Sequence, residues 1–288
     1  AIIALVVVGG ATRVMEAGLA CPDWPLCYGS FLPGRQMNVQ VFLEWFHRLD
    51  AFLVGIAFLV QFVLALIFKS QLPKWLIWSY GGVLLLIAGQ GALGALTVIE
   101  LLPSNIVTAH LALALILIAL MSMISQRLLA VKKSPAPFWW TFMGFISLSL
   151  VIGQALLGAR MATTWASKKC LIQGYECQLL DLHRLSAIPI TLFIFTFVAT
   201  AILKGGWTRT QWPFLGFVVF LLSLQIFLGI TAVNFGLSVP LLTVCHQLVG
   251  ALLVGSLASL SVRSPGCTGS GQIVEEMVEK SYLEACHG

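Results

Sequence analysis

The chain alternates apolar runs of about 20 residues with short polar stretches, and this alternation confines it to a single class of fold. A helix rises ~1.5 Å per residue, so a run of that length crosses the ~30 Å of hydrocarbon in a bilayer. Over such runs only helices satisfy their own backbone in lipid. With 59% hydrophobic and 9% charged residues, the chain could not hide its apolar surface as a soluble globule, where roughly a quarter of residues are charged. Eight transmembrane helices are expected, over residues 1–14, 41–68, 75–98, 106–126, 138–158, 179–203, 213–235 and 240–262, an all-α integral membrane fold. Residue 1 is Ala and helix 1 is apolar from its start, so the natural beginning is expected upstream; no cleavable signal peptide is recognisable.

Lys and Arg are retained on the cytoplasmic side of a membrane. Lys69, Lys74, Arg127, Lys132, Lys133, Lys204, Arg209 and Arg263 follow helices 2, 4, 6 and 8, which places those connections and the C-terminus inside. Arg13, Arg35, Arg160, Lys168 and Lys169 fall on the other side. The net charge of +5 is thereby mostly a topology signal, and no nucleic acid is needed to explain it. The pairs Cys21 with Cys27 and Cys170 with Cys177 both lie in outer loops, where an oxidising compartment favours disulfides. Cys245 sits inside helix 8 and reads as packing; Cys267 and Cys286 belong to a polar tail.

The sequence also repeats itself. Glu44-Trp45-Phe46-His47-Arg48-Leu49 is echoed by Leu180-Asp181-Leu182-His183-Arg184-Leu185, and Thr108-Ala109-His110-Leu111 by Val244-Cys245-His246-Gln247-Leu248, both at a separation of 136 residues. Odd helices echo one another from Gln90 to Gly94, Gln154 to Gly158 and Gln225 to Gly229. Two tandem duplicated four-helix bundles are therefore expected, residues 1–134 and 135–263, followed by a cytoplasmic tail over 264–288. Four helices per repeat is an even number, so both halves insert the same way round.

Four of the five histidines occur once each near the outer starts of helices 2, 4, 6 and 8. An ionisable group within a membrane span is costly, and four at matched depth call for a functional reason. Neutral imidazole is the commonest metal ligand. Two on different helices of one bundle can hold a haem iron from opposite faces, whereas zinc or copper would want three or four ligands close together. Gly89, Gly91, Gly94, Gly153 and Gly158 leave room for a flat macrocycle, although small residues are equally at home in ordinary helix contacts. Arg48 and Arg184 each follow a histidine at the outer interface, where a guanidinium pairs with haem propionates or with lipid headgroups; both readings stand.

One position breaks the symmetry. Glu44 lies three residues before His47, on the same helical face, where Leu180 stands before His183. A carboxylate beside one haem only suggests different tasks, with Glu44 as proton acceptor or stabiliser of positive charge. Asp50, three residues after His47, competes for the role, and an ion pair from Glu44 to Arg48 is the plainer alternative.

Glu44-x-x-His47-Arg48, His110, His183-Arg184 and His246, with cysteine pairs in the outer loops, resemble the haem A synthase family over residues 1–263. The resemblance implies oxidation of the C8 methyl of haem O to a formyl group, through hydroxylated intermediates, to give haem A. It implies His47 and His110 as ligands of the substrate haem O, His183 and His246 as ligands of a resident haem b, Glu44 as essential for catalysis, and a role for the first cysteine pair in haem handling. A plasma-membrane location, a haem O synthase as donor, terminal oxidase assembly as recipient and an unidentified electron partner follow from the same resemblance. A dihaem b-type cytochrome of electron transfer is the alternative; Glu44 without a counterpart, and all four histidines toward one face, argue against it. The Cys286-His287 end has no counterpart in the family pattern.

Overall fold

The computed structural model describes residues 2–129, 136–164, 170–171 and 177–264. Among them are eight α-helices and no strand: α1 (Ile2–Val14), α2 (Val39–Ile67), α3 (Lys74–Ile99), α4 (Ser104–Leu129), α5 (Phe138–Thr163), α6 (Gln178–Lys204), α7 (Trp212–Asn234) and α8 (Pro240–Ser261). The expected spans agree closely, the largest difference being α5, which runs on to Thr163. Seven helices, α2 to α8, are long and apolar enough to cross a membrane. The expectation of eight spans holds for these seven; α1 has 13 described residues, or ~20 Å of helix, short of the ~30 Å hydrocarbon core.

Local chemistry sets the ends. Asn38 caps α2 by accepting from the Val41 N–H at 3.0 Å. Pro213 and Pro240 stand in the first turns of α7 and α8, where a missing N–H costs nothing. Three odd helices close with one and the same turn: Ala17 N–H donates to Thr12 O at 2.8 Å, Leu102 to Thr97 O at 2.8 Å and Leu237 to Ala232 O at 2.9 Å. The left-handed residue this turn requires is Gly236 after α7 but Leu101 after α3, with φ of 58° and 57°. A Leu there is held against a cost of ~1–2 kcal/mol, so the turn is imposed by packing rather than by local preference.

Helix α8 is the hub: 44% of its span is buried, against 11% to 28% for the other long helices, and it packs on α1, α4, α5 and α7. Helix α4 joins two cores, sending Leu115 and Ile118 into the one shared by α5 to α8 and Leu117 and Ile124 into the one formed with α2 and α3. At the end away from the histidines, fully buried Trp140 donates its indole N–H to Leu260 O at 2.8 Å and meets Phe197 edge-on at 5.0 Å. At the histidine end, Arg13 donates to Ala162 O at 3.1 Å and Arg160 to Ser104 Oγ at 3.0 Å. These bonds strap α1 to α5 and α5 to α4, holding together the helix ends that carry the site.

Candidate functional site

Each of the four histidines lies against a glycine of the helix before it. A Cβ added to Gly9 would stand 2.8 Å from the His47 ring, one on Gly94 3.4 Å from His110, one on Gly158 3.0 Å from His183 and one on Gly229 3.0 Å from His246. The glycines thus let α1, α3, α5 and α7 approach the imidazoles of α2, α4, α6 and α8 closely, as small residues do between membrane helices. This corrects part of the sequence reading: Gly94 and Gly158 accommodate histidine rings rather than a macrocycle. A Cβ on Gly89 would meet Leu113 at 3.5 Å, while one on Gly91 or Gly153 would meet nothing within 4 Å. Gly9 was not singled out in the sequence.

Four residues before each seat glycine, a backbone carbonyl faces the ring; the residues are Leu5, Gln90, Gln154 and Gln225. The three glutamines add polar contacts of their own. Gln154 Nε2 donates to His183 O at 2.6 Å and lies 3.2 Å from His183 Nδ1, while its Oε1 accepts from Ser186 Oγ at 2.7 Å. Gln225 Nε2 lies 3.2 Å from His246 Nε2, and its carbonyl is 3.0 Å from His246 Nδ1. Gln90 Nε2 donates to His110 O at 3.0 Å. Leu5 offers no side-chain partner to His47.

The imidazoles fall into two facing pairs, His47 with His110 and His183 with His246, close enough to interact electrostatically. Among the described residues no group of three or more His, Cys, Asp or Glu could enclose a bare metal ion. Paired axial imidazoles are instead the donor set of a haem iron, whose other four ligands belong to the porphyrin. Buried Nδ1 atoms of His47 and His110 have no hydrogen-bond partner, a costly arrangement for a polar nitrogen unless another group engages the ring. The residues of the first pair therefore fit a haem, and the second pair offers the same two imidazoles, with Gln154 and Gln225 beside them.

Outside the first pair lies a tightly bonded loop. The Cys21–Cys27 and Cys170–Cys177 disulfides are both formed, with Cα–Cα distances of 4.8 and 5.1 Å. Glu44, 4% exposed, receives the Arg48 Nη2 at 2.6 Å on one oxygen and the Cys21 N–H at 2.8 Å on the other. Arg48 also donates to the carbonyls of Asp23 and Leu26, both at 2.6 Å, and of Cys21 at 3.3 Å. Asp23 in turn accepts from the Tyr28 and Gly29 N–H groups at 2.6 and 2.8 Å, and the Gly29 bond in particular holds its carboxyl below the usual range. The plainer alternative for Glu44, its pairing with Arg48, is thus present, and the carboxylate additionally anchors the disulfide loop.

The two arginines that the repeat equates differ accordingly. The Arg48 guanidinium is engaged by the loop, whereas Arg184 is exposed and has no hydrogen bond or ion pair among the described residues. Asp50 is half-buried one turn beyond His47 and likewise has no such partner among them. Cys245 is a free thiol within α8.

The chain is similar in sequence to known proteins. The heme A synthase of Shewanella oneidensis is 28% identical over 317 aligned positions, covering 89% of this chain and 91% of that protein. That of Rhodopseudomonas palustris strain BisB5 is 27% identical, covering 90% and 86%, and that of Bradyrhizobium diazoefficiens 30% identical over 56% and 54%. The COX15-CtaA family, described as cytochrome oxidase assembly protein, matches residues 1–258, a stretch that contains every histidine seat, both disulfides and the Glu44–Arg48 pair. The chain therefore belongs to the COX15-CtaA family of cytochrome oxidase assembly proteins.

Proposed function

We propose that this protein is a haem A synthase, oxidising a methyl group of haem O to the formyl group of haem A for terminal oxidases. The observation that carries this reading is the set of four seated histidines in two facing pairs, in a chain whose relatives are named for that activity. His47 and His110 hold and orient the substrate haem O; His183 and His246 hold a resident haem b. When bound, haem b supplies one-electron exchange, and an electron partner completes the balance. A haem O synthase as donor and an oxidase assembly apparatus as recipient suit the same reading.

The chain's own groups then take distinct tasks. Glu44, one turn from His47 on the same face, is the candidate catalytic carboxylate, and with Arg48 it fastens the Cys21–Cys27 loop over the substrate pair. Asp50, half-buried one turn to the other side of His47, is a second group able to hold a proton. Arg184, exposed at the outer end of α6, is placed to meet a haem propionate, a task for which the Arg48 guanidinium is less free.

The halves 1–134 and 135–263 are read as a tandem duplication, supported by the constant separation of 136 residues and by the shared seats and closing turns. The histidine end faces outward across the plasma membrane, and the 264–288 tail, which lies outside the described residues, is cytoplasmic. The test is extraction and mass analysis of haem from purified full-length protein made alongside a haem O source. Haem b together with haem O or its oxidised products is expected; haem b alone at both pairs would overturn the synthase reading in favour of a dihaem cytochrome.

A further inference from the structure

Between α1 and α2 the chain forms a loop, residues 15–38, that shows apolar side chains on its outward surface. Its charged residues are Glu16, Asp23 and Arg35, and the Asp23 carboxylate is occupied by the Tyr28 and Gly29 N–H groups. Trp24, Leu26, Tyr28, Phe31 and Leu32 all stand exposed, Phe31 at 64% and Leu32 at 60%. A cluster of exposed apolar side chains of this kind marks an interaction surface, with a protein or with a membrane. The inward side of the same loop is packed: Cys21 and Cys27 are buried with Val41 of α2, against Met37 and Trp45. The exposed set is thus a second surface of a well-packed loop rather than a core left unfilled.

The attachments of the loop fix its depth. Trp45 donates its indole N–H to Phe31 O at 2.7 Å, Glu44 accepts from the Cys21 N–H, and Arg48 donates to the carbonyls of Asp23 and Leu26. These bonds reach the side of α2, so the loop lies alongside the first turns of that helix. From Ala51 to Ile67 α2 is apolar except for Gln61, which gives ~26 Å of helix for a hydrocarbon core of ~30 Å. Arg48 and Glu44 stand three and seven residues before that stretch, ~5 and ~10 Å along the axis. Headgroups occupy about 5–8 Å on each side of the hydrocarbon, so the loop sits at headgroup depth. Its surface is also continuous with the exposed side of α2: Trp45, which holds Phe31, has its ring 6.1 Å from that of exposed Phe42, and Phe42 stacks on exposed Phe46 at 5.6 Å.

We infer that the 15–38 loop is an interfacial anchor, with Trp24, Leu26, Tyr28, Phe31 and Leu32 seated in the lipid leaflet at the histidine end. Aromatic side chains favour that layer, where an apolar body meets lipid and a polar edge meets water. Arg35, exposed three residues beyond Leu32, suits a lipid phosphate. Lipid is the occupant because the patch and the lipid-facing side of α2 form one surface at one depth. The inference needs only the membrane spans and is independent of the haem reading. It places the loop between two holds, Glu44 and Arg48 on one side and lipid on the other, so that any opening of the loop takes place within the leaflet.

The test asks what the patch touches. Full-length protein is reconstituted in phosphatidylcholine nanodiscs containing a phospholipid with a diazirine near the top of one acyl chain, irradiated, and mapped by peptide mass measurement. Carbene adducts are expected on residues 24–32 at a level comparable with those on the Phe42–Phe46 turn of α2, the lipid-facing reference. A parallel sample is exposed to hydroxyl radicals generated in water. Trp24 and Phe31 should be oxidised several-fold more slowly than in a synthetic peptide of residues 24–32, whereas a loop standing in water, with these side chains 47% and 64% exposed, would oxidise at close to the peptide's rate. Adducts on the α2 turn with none on residues 24–32, or oxidation of Trp24 and Phe31 at the peptide's rate, would each overturn the inference and leave the patch to a protein partner.

Discussion

Glu44→Gln separates an anchoring role from a purely chemical one. Both oxygens of Glu44 receive hydrogen bonds, from Arg48 Nη2 at 2.6 Å and from the Cys21 N–H at 2.8 Å, at a site that is 4% exposed. A carboxamide of the same shape turns its NH2 toward one of these two donors, so one bond to a charged group is lost and a donor faces a donor. A hydrogen bond to a charged group contributes about 1.5–3 kcal/mol, which shifts the opening equilibrium of the Cys21–Cys27 loop by roughly ten- to hundred-fold. Arg48 keeps its three carbonyl acceptors, so the helix itself should stay folded. Hydrogen exchange at the Cys21 amide reports the opening directly, and haem A yield in cells of equal expression reports the chemistry. Exchange is expected to rise by roughly the same ten- to hundred-fold while the yield falls. If the yield fell by the ~100-fold typical of a lost acid or base with Cys21 protection unchanged, the anchoring argument would be wrong and Glu44 would act on the substrate alone.

Replacing His183 or His246 with Ala should abolish the low-spin spectrum of the second-half haem; an unaltered spectrum in both would exclude them as its ligands. Gly158→Val should displace the His183 ring, because even a Cβ would stand 3.0 Å from it, and the same spectrum should shift while Gly153→Val, with nothing within 4 Å, leaves it in place. Alkylation of unreduced protein followed by peptide mass measurement should leave Cys21, Cys27, Cys170 and Cys177 unmodified; labelling of any of the four contradicts the pairing. Asp23 has a folded-state pKa below its ordinary value, so its support of the Cys21–Cys27 turn is present above about pH 4 and fades as pH falls through the lowered value. Pepsin cleavage of the Cys21–Cys27 loop should accordingly rise only in strong acid, and a loop already labile at pH 5 would refute this.

Much of the site was legible before any coordinates. Histidines near the starts of alternate helices, a constant separation between echoes and cysteine pairs in the loops before them are all patterns along one chain, and a membrane span makes each polar residue conspicuous. The Gln-to-Gly echo was equally visible, yet its meaning was not. Whether a glycine makes room for a macrocycle, a lipid or a neighbouring ring depends on which helix lies opposite, and Gly9 lacked even the echo, because Leu5 replaces the Gln that marks the other seats.

By itself the sequence determined the class of fold and the positions of the helices, because hydrocarbon accepts only segments of a certain length and composition, and it marked four histidines as candidate ligands. Tertiary structure decided how those residues are supported. Arg48 was free on paper to meet a propionate, but the fold brings three loop carbonyls and Glu44 within reach of its guanidinium, and short-range bonds of that kind outcompete a more distant partner. It also decided that α8 is the hub and that the Nδ1 atoms of His47 and His110 stay buried without a hydrogen-bond partner while Gln154 and Gln225 meet those of His183 and His246. Such differences arise from contacts that only folding brings about, between residues 22 to 27 positions apart at Arg48 and 21 to 29 apart at the glutamines, and no periodicity or spacing along the chain records them.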